Sequence, residues 1–339
     1  MKYLNYLLAM LLITHSDVFA TEISASKFEV EPKEVKHLAL NYPTQAVEYY
    51  KKNSAKLLQL NSAEALSIYS SLLAAASKVQ DIELIEELAQ HLSDERLVPY
   101  SQPYTFTVVN VIGVAYRLIG QLDDAIKTYK CALKHSQNNV EKMTAKVNLA
   151  IAYRMDNQPA ISFQILQSVD EAILNGRRKA GLLVVKGNTA IVLGDSKSAV
   201  EYFIAARQYY LMDNHHRNAT RVTVNLLGAA LIERKVALYE NYREKLRATS
   251  DTYLPESDKH YLKWLDLMSQ SVKSNVISEQ VANYTNRHVD LLLKGGYENP
   301  VRMILKSLNA EFLIPQEPTK RPLNKKLRAN LAKRWCQDL

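Results

Sequence analysis

The sequence predicts an all-α protein, and three observations carry that reading. Glycine and proline are scarce, nine and ten in 339 residues, which leaves little material for the tight turns of a β-rich fold. Helix formers such as Leu, Ala, Lys and Glu dominate the chain. A pattern of small and aromatic residues also recurs at a fixed period, the mark of stacked supersecondary units.

The period is clearest over 106–213. Gly113, Gly120, Ala125, Tyr129 and Ala132 are followed 74 residues later by Gly187, Gly194, Ala199, Phe203 and Ala206. Half of that offset is 37, and a middle copy stands there as Ala150, Tyr153, Asn157, Ser162, Leu166 and Val169. The string 147–154 echoes 110–117, and a degenerate fourth start lies at 225–230.

Small residues at a helix crossing let two axes approach to about 8–10 Å. Gly120 ends a first helix because glycine enters the left-handed cap without strain, and Asn157 is the next best residue for it. Asp123 is expected to cap the second helix.

These residues resemble the tetratricopeptide repeat, of the extracytoplasmic bacterial type. The likeness implies a right-handed helical solenoid of antiparallel helix pairs. The 37-residue period exceeds the usual 34 or so, and the Trp and closing Pro of the motif are absent, so helices or connections are longer here.

The rest of the chain is organised around that array. Residues 1–20 read as a secretory signal peptide: Lys2, the apolar run Leu7–Ile13, then a polar stretch ending at Ala20. The run is too short to span a bilayer; the competing reading is an uncleaved helix. Localisation is therefore expected to be periplasmic or secreted, with Thr21 at the mature start.

Residues 21–42 form an extended or disordered leader and 43–105 helical pairs, with helices over 43–60, 62–78 and 81–93. The repeats are 106–142, 143–179, 180–216 and a degenerate 221–250. Helices over 257–274, 278–294 and 300–312 fill 251–314. Residues 315–339 are a linker and a basic amphipathic helix, Leu323 to Trp335, with Leu323, Leu327, Leu331 and Trp335 on one stripe. That helix is expected to cap the solenoid; the alternative is docking on an anionic surface or an acidic partner, a peripheral association with the envelope.

Charge argues against nucleic acid as a partner. The net charge is +8. Seven cationic residues against Glu317 and Asp338 put +5 of it in 316–339, leaving +3 for the body, where a nucleic-acid binder would carry a basic stripe. The only cysteines, Cys131 and Cys336, lack zinc or redox spacing. They are expected as unpaired buried thiols, one disulfide being open to them in an oxidising compartment.

No phosphate loop, nucleophile elbow or paired-histidine zinc motif occurs. His215-His216 falls at an inter-repeat turn, where a solvated loop is the expectation. No catalytic residue, metal or cofactor is expected.

Binding is the remaining function class. By the resemblance, first helices line a concave wall, which places Asn110, Arg117, Asn148, Arg154, Asn188 and Asn225 on it. Asparagine offers a donor and an acceptor to an extended backbone; arginine offers a planar fork to a carboxylate. The expectation is a scaffold holding a peptide or protein partner. A periplasmic ligand-sensing domain acting on a membrane signalling partner is the alternative.

Overall fold

The computed structural model describes residues 32–57, 63–249, 254–316, 327–328 and 331–336. Among these the fold is all-α, with no strand. The signal-peptide segment and most of the 315–322 linker lie outside the described residues. Helix α1 is Pro32–Asn41, so the expected extended leader is helical from residue 32 on. It is followed by α2 Pro43–Leu57, α3 Ala63–Val79 and α4 Ile82–Leu92. Then come α5 Thr105–Leu118, α6 Leu122–Lys134, α7 Asn139–Met155 and α8 Pro159–Gln167. The chain continues as α9 Gly176–Val192, α10 Ser196–Met212, α11 His216–Ile232 and α12 Val236–Thr249. The last three are α13 Glu256–Ser274, α14 Glu279–Leu292 and α15 Glu298–Lys306.

Each helix from α5 to α12 packs on the next, and α13 and α15 fold back onto α11. Consecutive first helices also touch, α5 with α7 and α7 with α9, while contacts between consecutive second helices are sparser.

A ring packed into a missing side chain sets each crossing. A Cβ added at Gly113 of α5 would stand 2.7 Å from Tyr129 Cε1 of α6. One at Gly187 of α9 would stand 2.5 Å from Phe203 Cε1 of α10. The middle pair uses Ala150 and Leu166, both fully buried in one cluster. A larger residue on one helix is thus met by a smaller one on its partner. Gly228 departs from the series: it receives the Tyr261 hydroxyl from α13, so the fourth glycine seats a C-terminal helix instead of α12.

The turns inside the pairs repeat as well. Gly120, Asn157 and Gly194 all have positive φ, at 85°, 57° and 83°. Each is followed by an amide that bonds back five residues: Gln121 N to Tyr116 O at 2.9 Å, Gln158 N to Tyr153 O at 2.8 Å, Asp195 N to Ala190 O at 2.9 Å. This closure satisfies carbonyls that the helix end would leave orphaned. It also starts the second helix early. The N-cap of α6 is therefore Gln121, without a side-chain cap bond, and Asp123 sits in the first turn, not at the expected cap. In the third pair the same position is Asp195, whose carboxylate accepts from Ser198 N at 3.0 Å.

The chain ends where the repeat begins. Leu327, Ala332 and Cys336 are buried in the N-terminal core together with Tyr116 and Cys131. Cys131 and Cys336 form a disulfide across 205 residues, with Cα atoms 5.9 Å apart. The expectation of two unpaired thiols is corrected, since no local spacing announces a contact at that separation.

The expected 323–335 helix is corrected in its described part: residues 331–335 form turns. Some of their main-chain groups bond within the turns, Trp335 N and Cys336 N both to Ala332 O at 3.0 Å, and others, with those of 327–328, bond to side chains of the body. Tyr116 Oη donates to Arg328 O at 2.8 Å and accepts from Leu331 N at 2.9 Å. The apolar stripe still faces a core, with Leu331 and Trp335 packed on it.

The crossing geometry predicts opposite outcomes for two helical glycines. Gly113→Ala should cost about 1–3 kcal/mol by over-packing the Tyr129 ring. At Gly181 in α9 the nearest atom to an added Cβ, Tyr210 Oη, is 3.8 Å away. Gly181→Ala should be neutral or stabilise by up to about 1 kcal/mol through lost chain entropy. Urea denaturation of both variants measures this; equal destabilisation would mean the ring does not occupy the glycine's place.

Candidate functional site

The six expected residues fall on four first helices, and the structure joins them in three pairs. Asn148 Nδ2 donates to Asn110 Oδ1 at 2.9 Å, linking α7 to α5. Asn225 Nδ2 reaches Asn188 Oδ1 at 3.5 Å, linking α11 to α9. Part of each amide's capacity is therefore spent between helices. Each pair keeps one carbonyl oxygen and one amide group outside that bond.

The third pair is Arg117 and Arg154, at the same place in successive units. Arg117 Nε donates to Tyr129 Oη at 3.3 Å. No carboxylate among the described residues reaches either guanidinium within ion-pair distance. Burial first, then the charge of Arg117, pushes Arg154 down from 12.5 to about 10. Two guanidiniums thus stand together, partly withdrawn from water, with no carboxylate among the described residues beside either. Other cations are handled differently: Lys186 meets Glu171 at 2.5 Å and Arg243 meets Asp266 at 2.7 Å.

Helix geometry decides which residues share a surface. Asn110 and Arg117 are seven apart, nearly two full turns, and lie on one face of α5. Asn148 and Arg154 are six apart, so they are turned about 120° from one another around α7. The two arginines and the four asparagines therefore do not form one continuous row.

Sequence reading missed the tail's seat. Gln121 Oε1 accepts from Leu327 N at 2.8 Å, Glu86 Oε1 from Arg328 N at 3.4 Å, and His135 Nε2 lies 2.9 Å from Trp335 O. The only available signal was the apolar stripe of the tail itself. Among the described residues no group of three or more His, Cys, Asp or Glu could hold a metal ion. No helix there is long and apolar enough to cross a membrane. No protein-family model matches this sequence, and no curated protein is similar to it at a significant level.

An unpaired guanidinium kept for a ligand should be dispensable to the fold. Removing a partly buried charge that has no partner recovers desolvation energy. Arg154→Met should therefore leave the melting temperature unchanged or raise it. A clear fall in calorimetry would show that the guanidinium supports the fold instead.

Proposed function

We propose that this chain is an exported helical-repeat scaffold of the tetratricopeptide type that binds an extended segment of a partner protein, and that it works by binding, not by catalysis. The 37-residue recurrence of left-handed turns, and the ring-into-glycine crossings two periods apart, support the repeat reading. The observation that carries the function is the Arg117–Arg154 pair. Two neighbouring guanidiniums without a carboxylate are a binding site for one, from an acidic side chain or a free C-terminus. The remaining asparagine groups match main-chain donors and acceptors nearby.

Export has its own support. A disulfide that joins α6 to the C-terminal tail persists in an oxidising compartment. In that setting the mature chain begins near Thr21, and the first twenty residues are a removed address.

A sensor reading has one observation in its favour. An open cavity of about 520 Å³ lies between α13 and α14, lined in part by Lys263, Gln280, Asn283, Tyr284, Arg287 and His288. That size suits a small molecule. A ligand retained through native purification and detected by mass spectrometry would favour this reading over the scaffold.

The scaffold reading is tested with partner peptide from envelope pull-downs. Arg117→Ala with Arg154→Ala should stay folded and weaken binding about tenfold or more, the scale of one lost charge-assisted contact. Amidating a C-terminal carboxylate, or neutralising the acidic residue, should weaken wild-type binding alike and leave the double variant unaffected. Undiminished binding by the double variant would reject the site.

A further inference from the structure

Besides the disulfide and its apolar side chains, the tail is held by its main chain. The Tyr116 hydroxyl bonds both Arg328 O and Leu331 N, and Gln121 Oε1 accepts from Leu327 N. The other end of Gln121 donates to Asp124 Oδ2 at 3.0 Å, which leaves Oε1 to accept. With the tail in place Tyr116, Gln121 and Leu327 are all buried. This arrangement reads backbone groups beside buried apolar side chains, Leu327 and Ala332 among them, so it suits a leucine-bearing segment that presents the same groups.

One period later stand Tyr153 and Gln158, with the same turn geometry behind them. Gln158 Nε2 donates to Asp156 Oδ2 at 2.5 Å, so its Oε1 is again left to accept. Among the described residues none bonds to this pair as the tail bonds to Tyr116 and Gln121. Tyr153 Oη and Gln158 Oε1 have no hydrogen-bond partner among the described residues, and both side chains are only half-buried. Ile161 on α8, beside Gln158 in the chain, is 39% exposed. Ile165, one turn on, packs against the same core that receives the tail. The Lys130 ammonium lies 5.8 Å from the centre of the Tyr153 ring on an exposed, flexible stem. The third unit has Ala190 and Asp195 at these positions, so the arrangement occurs in the first two units and stops.

We propose that Tyr153 and Gln158 form a second seat of the same kind, which takes a leucine-bearing segment of a partner protein through its main chain. The chemistry of the occupant is that of this chain's own tail, Leu-x-x-x-Leu-Ala, because that is what the sister seat holds. The surface differs from the asparagine–arginine face: Tyr116 lies about 120° around α5 from Asn110, and Tyr153 repeats its position on α7. The proposal therefore does not depend on that face.

The probe is a labelled, C-terminally amidated peptide with the sequence of residues 327–335, titrated into the full chain with its disulfide closed. Saturable binding is expected by fluorescence anisotropy. Tyr153→Phe with Gln158→Ala removes one hydroxyl and one amide outside the buried core, and thermal melts check that the fold persists. That double variant should bind about tenfold or more weakly. A peptide with aspartate in place of its first leucine should not bind. The Arg117→Ala, Arg154→Ala variant should bind as wild type. Absence of binding, or binding unchanged by Tyr153→Phe with Gln158→Ala, would overturn the proposal. Loss confined to the arginine variant would place the peptide on the other face and overturn it equally.

Discussion

The architecture rests on how closely two antiparallel helices can approach. Where α5 meets α6 and α9 meets α10, an aromatic ring fills the volume that any side chain on Gly113 or Gly187 would occupy. Packed interiors tolerate neither a void nor an overlap there. The ring fixes both the distance and the axial register of the pair. Because equivalent positions recur every 37 residues, filled by a small residue and a larger one, the same register is handed on from one pair to the next. The Ala150–Leu166 pair shows that the constraint is on summed volume and not on residue identity.

A second constraint acts across the whole chain. A stack of helix pairs makes mostly local contacts, so each unit leans only on its neighbours. The tail breaks that rule by joining the C-terminal end to α5 and α6 through a disulfide and several main-chain bonds. Closing so long a loop removes conformations from the unfolded chain, which typically stabilises by about 2–4 kcal/mol. It also buries the edge of α5, where α4 packs less fully than α6 does against α7. Tyr116 and Gln121, which grip the tail, flank a turn that recurs in the next two units.

Much of the fold was legible because its determinants are local. A small residue, then a left-handed turn residue, then an aromatic at a constant offset describe a helix pair completely, and Gly113, Gly120 and Tyr129 carry that signal without any tertiary knowledge. Three features were not legible. The disulfide and the tail's seat depend on contacts between residues some 200 positions apart. The tail's 3.6-period stripe promised a helix, yet Tyr116 and Gln121 compete for its backbone groups. The N-cap of α6 moved from Asp123 to Gln121 because the turn's own hydrogen bond decides where the next helix starts. At the candidate site, position within each repeat was readable from the sequence. The pairing of Asn110 with Asn148, and the burial of Arg154 beside Arg117, followed only from how the first helices lie side by side.

The volume constraint is tested most directly by a double-mutant cycle in the third pair, where the ring carries no polar group. Gly187→Ala and Phe203→Leu are made singly and together, and the double variant reproduces the Ala150–Leu166 pairing of the unit before it. Each single change should destabilise, one by over-packing and the other by leaving a cavity. The double variant should then be more stable than the sum of the two by about 1 kcal/mol or more, a coupling typical of residues in contact. Strict additivity would contradict the account, because it would mean the ring and the glycine do not share one space.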